Sequence, residues 1–331
     1  MITIIGAGWY GCYLGMKFKD LGVDFEILEK NHEIFEGSSS FNQNRLHQGF
    51  HYPRDFKTRK ESKYGFDRFI KEFPNVSTSI QDNIYAIHNA SHIDFNSYLA
   101  VFSHERYNYK LLDNHEIFDQ TKNYEGCISM DERLIGHQEA KNYFSKLELP
   151  IQFDVMCQYR EGKIVGNRKS IESDLIIDCT YGQMQCPIGF YNEDYLTLIY
   201  GKKKNPPFGA LTVMDGAFYS LYPYKDDLFT LTGVLEGVIN KREYQVFGEK
   251  AYVSRRKEML EKKVLTDYPE FLNHFSFDGY FMSKKLKPDA TSQGRSTFIK
   301  KHDNIVTVCS GKVDTVFELD SFVSEVKVLY S

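Results

Sequence analysis

The chain has 331 residues, 42% of them apolar and 26% charged, enough for about two domains at ~150 residues each and too long and mixed for a disordered chain or a small stapled scaffold. Its 41 basic and 45 acidic residues leave a net charge of −4, so it offers no cationic field for a phosphate polymer and a nucleic-acid partner is not expected. Six cysteines stand singly, no run of 18 apolar residues occurs and no basic leader precedes the N-terminal apolar stretch; no metal site, no disulfide framework and no membrane span are expected, and the expected location is the cytoplasm.

Ile2–Ile5 is a short β-branched run, Gly6, Ala7, Gly8, Trp9, Tyr10 and Gly11 follow it, and Leu14, Phe18 and Leu21 then recur at helical spacing. The pattern predicts strand, tight turn and helix, with Gly22 as the stop. Asp24 to Leu28 predicts a second strand leading into Glu29 and Lys30, with Glu29 eighteen residues beyond Gly11, near the ~20 at which a dinucleotide fold places its ribose-binding acid. Each glycine has a job in that reading: Gly6 permits the turn, Gly8 lets a pyrophosphate reach backbone N–H groups, and Gly11 with Gly15 lets the helix lie close on the sheet. An acid at position 29 argues against a 2′-phosphate, which leaves NAD or FAD.

The strand–helix alternation of an NAD dehydrogenase does not continue beyond this point. Residues 36–53 are polar and small with little periodicity, and such a loop in a compact domain is functional or disordered. Within it, residues 42–52, NQNRLHQGFHY, resemble the segment that meets the flavin in FAD-dependent oxidoreductases of the D-amino-acid oxidase superfamily, the L-2-hydroxyglutarate enzymes in particular. A serine-rich turn, an Asn and a His-x-Gly-x-x-Tyr pattern carry the likeness, and Lys57, Arg59 and Lys60 fit the basic helix that comes next. The resemblance implies FAD as the cofactor, with contacts from Ser39, Arg45, Leu46 and His47. The family has Gly where Asn44 stands and an apolar residue where Arg45 stands, so a different substrate is expected.

Further along, residues 137–147 predict an amphipathic helix, 151–155 a strand, 161–163 a hairpin turn and 173–182 a buried strand ending in a turn. By resemblance this block closes the nucleotide domain, with Val155 at the adenine and Thr180 and Gly182 in the last turn. Residues 211–224 and 228–235 predict strands of an antiparallel sheet, with Gly216 and Asp226-Asp227 as turns; they resemble the substrate domain that roofs the flavin. Their aromatic side chains either line the pocket or form sheet core. Residues 304–309 predict a strand and 316–329 a helix, joined by a turn whose Gly311, Lys312 and Val313 the resemblance sets at the pyrimidine edge, where a helix N-terminus and a lysine stabilise negative charge. Residues 75–130 match no pattern.

The expected fold is therefore α/β: a Rossmann-like FAD-binding domain from residues 1–60, 137–192 and 296–331, plus a substrate domain from 61–136 and 193–295 built on an antiparallel sheet with helices. The expected function is oxidation of a C–N or C–O bond in a small polar, anionic molecule (an amino acid, amine or 2-hydroxy acid) by hydride transfer to flavin N5. His47 is the candidate base, with His51 as competitor; Arg45 and Arg295 are candidate carboxylate clamps; Tyr222 or Tyr224 is a candidate hydroxyl donor. Two other readings stay open: a non-redox flavoenzyme such as a sugar-nucleotide mutase, and a nucleotide-binding protein without catalysis.

Overall fold

The computed structural model describes residues 1–112, 117, 122–160, 163–167, 169–289 and 296–330. The β-branched run Ile2–Ile5 lies inside a six-stranded sheet with all four residues buried, as a strand covered on both faces should. Phe25–Leu28 and Leu175–Asp178 flank it in parallel, Ile151–Gln152 and Ile305–Cys309 extend the parallel array, and Phe298–His302 closes one edge antiparallel. Helix Trp9–Leu21 follows the first strand and ends at Gly22, which takes the left-handed conformation with φ 68°. The Gly22 and Val23 N–H groups return to the Lys19 and Phe18 carbonyls at 3.1 and 3.0 Å, the paired bonds of a Schellman stop.

The turn and packing roles read for Gly6, Gly11 and Gly15 hold at the level of atoms. Gly6 has φ +101°, a Cβ on Gly11 would lie 1.9 Å from the Gly6 carbonyl oxygen, and one on Gly15 would lie 2.8 Å from Ile27 Cδ1. The helix rests against the turn with no room for a methyl group. Gly65, inside helix Phe56–Glu72, makes a second such approach, its absent Cβ 1.9 Å from the Asp314 carbonyl oxygen.

An eight-stranded sheet forms the other half of the molecule, in the order Phe275–Pro288, Phe190–Lys202, Leu228–Gly233, Tyr219–Lys225, Ala210–Met214, Asn83–His88, Tyr124–Ser129, Lys110–Leu111. The expectation of an antiparallel sheet needs one correction, because Ala210–Met214 and Asn83–His88 run parallel. The unmatched residues 75–130 supply three of these strands. Helix Glu249–Asp267, also unforeseen, is largely charged and buries a narrow stripe that includes Tyr252, Leu260 and Val264. Three expected elements are shorter than read: the helix is His137–Ser145, the strand after it Ile151–Gln152, and the last sheet strand stops at Gly233. Of the expected hairpin turn, residues 161–162 lie outside the described residues, while Cys157–Arg160 and Lys163–Gly166 pair antiparallel on either side.

Much of the aromatic excess is core. Trp9 stacks on Phe35 at 5.0 Å and meets Phe69, Phe73 and Phe144 within 5.7 Å, pairs worth about 0.5–1.5 kcal/mol each beyond their buried area. All six cysteines are free. Among the described residues, no helix is long and apolar enough to cross a membrane, and no His, Cys, Asp and Glu cluster could hold a metal ion.

Because the contact at Gly11 is against backbone, Gly11→Ala cannot be relieved by a rotamer change, and overpacking should lower the unfolding free energy by about 3 kcal/mol. Urea denaturation checks this; a loss under about 0.5 kcal/mol, the range of neutral surface changes, would show that helix and turn can separate cheaply.

Candidate functional site

The carboxyl ends of the parallel strands open into a cleft of about 510 Å³, within the ~300–1,000 Å³ of small-molecule sites and at the edge where open α/β sheets bind ligands. Gly6, Gly8, Trp9 and Tyr10 line its floor. Gly8 is the N-cap of the first helix and no side chain caps it in the usual way; the Trp9 N–H instead reaches Ser39 Oγ at 3.2 Å. A Cβ on Gly8 would lie 3.0 Å from the same Oγ. A helix start whose N-cap residue carries no side chain leaves room for an anion beside its N–H groups.

Glu29 is 6% exposed and ties the two strand ends together. Its Oε2 accepts the Ala7 N–H at 2.7 Å, and its Oε1 accepts the Asn31 N–H and Nδ2 at 3.0 and 2.8 Å. Three of the roughly four acceptor positions of a carboxylate are filled, which leaves one for a hydroxyl in the cleft. Lys30, Ser39 and Val155 continue the wall. Lys30 Nζ donates to Gln183 Oε1 at 2.8 Å, and the Val155 N–H donates to the Glu29 carbonyl at 2.9 Å, so a base edge docking at Val155 would use its carbonyl. Thr180 lines the cleft, its N–H held by Asp178 Oδ1 at 2.8 Å.

Not every expected contact residue belongs to the wall. Ala7, Gly11, Leu46 and Gly182 are buried outside the lining; Gly182, at φ +70°, makes the turn and packs toward Leu286. Gly311, Lys312 and Val313 do line the cleft. Lys312, however, is already engaged: its Nζ donates to Ser62 Oγ, stands 3.6 Å from Asp314 Oδ2 and lies 3.9 Å from the Tyr52 ring centroid. The expected free cation is a buried, paired one.

The loop that carried the resemblance forms the opposite wall through Gln43, Asn44, Arg45 and His47. Asn44 has φ 49°, the left-handed region that Gly occupies freely and Asn tolerates best among the others, so the departure from Gly keeps the turn. Arg45 Nη1 donates to Thr212 Oγ1 at 2.8 Å and its guanidinium lies 4.0 Å from the Tyr222 ring centroid. Arg45 Nε and Nη2, the bidentate edge, are buried without a hydrogen-bond partner among the described residues.

Tyr222 corrects an expectation. It is fully buried, outside the cleft lining, and its hydroxyl donates to the Arg133 carbonyl at 3.3 Å, so it supports Arg45 with its ring and offers no hydroxyl to the pocket. Tyr224, also outside the lining, reaches the Ser40 carbonyl at 3.5 Å. The sheet face over the cleft presents Thr197, Thr232 and Ser283 instead of aromatic rings. Of the two histidines only His47 lines the cleft; His51 sits with its ring 5.7 Å from that of His47. Arg295 lies outside the described residues.

Glu132 went unread in the sequence. It is 0% exposed, accepts the Gln48 N–H and the Tyr85 hydroxyl at 2.7 Å each, and lies 3.4 Å from His47 Nδ1. Burial pulls its pKa up, yet His47, Tyr85 and the Gln48 N–H together hold it below the ordinary glutamate value. Flanked by Asp131 and Arg133 it looks like part of a solvated charge run. The signal was its place in the inward series Ile128, Met130, Glu132, all buried.

No family model matches the chain. It is 29% identical over 331 residues to the FAD-dependent monooxygenase FPY4 of Fusarium mangiferae, covering 96% of this chain and 88% of that one. It is 24% identical over 356 residues to the FAD-dependent monooxygenase kojA of Aspergillus flavus, covering 95% and 82%. Among solved structures, NikD, an unusual amino acid oxidase of nikkomycin biosynthesis, superposes with a TM-score of 0.73 at 10% identity over 100% of this chain and 94% of that one. Glycine oxidase from Geobacillus kaustophilus gives 0.71 at 7% identity over 100% and 95%. The fold is therefore that of the FAD-dependent oxidoreductases related to the amino acid oxidases.

A carboxylate held below its unfolded value of about 4.3 contributes stability that is complete above that pH and disappears as pH falls through the folded value. Urea unfolding of the native chain and Glu132→Gln should therefore show a stability gap near pH 6 that narrows toward pH 3. A gap independent of pH would mean that folding leaves the Glu132 pKa where it is in the unfolded chain, and a gap that widens toward pH 3 would mean that Glu132 is held protonated in the fold.

Proposed function

We propose that this chain is an FAD-dependent oxidoreductase that dehydrogenates a C–N or C–O bond of a small anionic substrate. The observation that carries the reading is the glycine-lined helix start, with Gly8 as its N-cap, beside Glu29 at the floor of the cleft: it offers a pyrophosphate seat and a ribose acceptor side by side. The fold is that of FAD-dependent oxidoreductases, and the relatives are FAD-dependent by name. Residues 1–60, 137–192 and 296–331 would hold the dinucleotide, and 61–136 with 193–295 would roof the substrate.

Gly8 and the first-turn N–H groups would seat the pyrophosphate, Glu29 a ribose hydroxyl, and the turn at 311–313 the far end of the cofactor. FAD bound there would supply the two-electron acceptor for a hydride from the substrate carbon. The protein's part is positional. Arg45, with two buried N–H donors free on its bidentate edge, holds a substrate carboxylate in a fork, and His47 takes the proton of the hydroxyl or ammonium as the C–H bond breaks.

The names of the relatives favour a second reading, a monooxygenase. The two differ in where the electrons come from: a dehydrogenating enzyme is reduced by its substrate alone, whereas a monooxygenase draws on a separate reductant and on oxygen.

The purified protein should be yellow and release FAD on acid treatment, and Gly8→Val, whose side chain fills the pyrophosphate path, should be colourless yet folded. Full flavin retention in Gly8→Val would remove the fingerprint reading. In an anaerobic screen of amino acids and 2-hydroxy acids, a substrate should bleach the flavin without NADH or NADPH. With that substrate, Arg45→Met should raise KM by ~10-fold or more, the cost of losing a charge-assisted bond of about 1.5–3 kcal/mol, and have less effect on an uncharged analogue. Bleaching only by NADH or NADPH would decide for the monooxygenase.

A further inference from the structure

We propose that Glu132 is a positioning residue that keeps the proton of neutral His47 on Nδ1 and so makes Nε2 the atom that accepts a proton in the cleft. The proton-accepting role rests on the reading of the cleft as a substrate-oxidising site; the tautomer itself does not.

The two residues meet because of strand register. Arg45–Leu46 pairs antiparallel with Arg133–Ile135, Arg45 opposite Leu134 and Leu46 opposite Arg133; one step further along the ladder sets His47 opposite Glu132. The Gln48 N–H locks this end of the ladder onto Glu132 Oε1 at 2.7 Å, and the Tyr85 hydroxyl reaches Oε2 at 2.7 Å. The carboxylate is thus fixed from two sides, and the open approach to it is taken by His47 Nδ1, 3.4 Å from Oε2.

That distance is long, and hydrogen bonds of this kind commonly tighten only when substrate binds. The chemistry of the pair still decides the tautomer. His47 Nδ1 is buried with no formed hydrogen bond, and Glu132, as an ionised carboxylate, can only accept. A lone pair on Nδ1 would face two negative oxygens in a site that water does not reach, whereas an N–H there faces its acceptor. The rest of the imidazole keeps 16% of its side-chain surface exposed, in the cleft wall, so the nitrogen left for a ligand is Nε2. When Nε2 takes a proton from the substrate, the imidazolium that forms lies beside a fixed negative charge.

Selective 15N labelling of the histidines in the protein as purified, cofactor included, reads the tautomer from the nitrogen shifts and couplings, with His47→Gln identifying the resonance. Neutral His47 should be protonated on Nδ1. In Glu132→Gln only one amide oxygen remains for the Gln48 N–H and the Tyr85 hydroxyl; keeping it toward Gln48 turns the amide NH₂ toward Nδ1, so the population should shift to the Nε2–H form. A native protein already in the Nε2–H form, or a tautomer unchanged in a folded Glu132→Gln, would overturn the proposal. Should Glu132→Gln fail to melt cooperatively, the tautomer of the native protein alone decides. Visible absorption of the same sample reports on FAD separately, so loss of the cofactor reading and loss of the tautomer are different results.

Discussion

The carbonyl oxygen of Gly6 touches the first helix where any other residue than glycine would put a side chain. With 1.9 Å between that oxygen and the missing Cβ of Gly11, the helix start lies flush against the end of the first strand. The cleft floor follows from it. Gly6 and Gly8 put no side chain of their own over the turn, Ser39 Oγ takes the Trp9 N–H there, and the Ala7 N–H is brought onto Glu29 at the tip of the neighbouring strand. A second close approach, Gly65 on Asp314, presses helix Phe56–Glu72 onto the loop that forms the far wall. Two contacts without side chains therefore set the positions of the residues around the cleft.

The wall facing that floor is organised by a short ladder. Arg45–Leu46, Arg133–Ile135 and Ser77–Ser79 form a three-stranded sheet from segments far apart in the chain, and its register brings His47 to Glu132. Tyr222 adds the other half of the device. Its ring lies under the Arg45 guanidinium and Thr212 takes one of the Arg45 donors, so the cation is held without a carboxylate partner among the described residues. A buried guanidinium that keeps its bidentate edge unsatisfied costs stability in the free protein and is the feature one expects where an anionic ligand completes the set.

Two cations of the cleft lining, Lys312 and Arg45, show how environment separates residues of one charge. Lys312 is buried against Tyr52, Ser62 and Asp314, so its charge is largely balanced within the fold. Arg45 meets a hydroxyl and a ring face. Residue type alone makes both of them candidate anion binders; neighbours make one a structural ion pair and leave two buried N–H donors of the other without a hydrogen-bond partner among the described residues.

Local physics was enough for the half built on the six-stranded sheet. Gly6, Gly8, Gly11, Gly22 and Glu29 act through their own backbone freedom or through neighbours within a strand–turn–helix unit, and a spacing rule captures that. The strand before Asp178 and the final strand and helix were legible for the same reason, as continuous apolar runs and helical periods. Five of the eight strands of the larger sheet were not: Asn83–His88 and Tyr124–Ser129 gain their partners from Ala210–Met214 and from each other, Lys110–Leu111 pairs with Tyr124–Ser129, and the long Phe190–Lys202 with Phe275–Pro288 stabilise one another across more than seventy residues of sequence. At the site, the sequence supplied Arg45 and His47 as chemical types. Only the tertiary structure showed that Tyr222 supports where it was expected to donate, that Lys312 is already paired, and that a glutamate within a charged run is the buried partner of His47, because burial and register are properties of which strands meet and no single stretch of chain contains them.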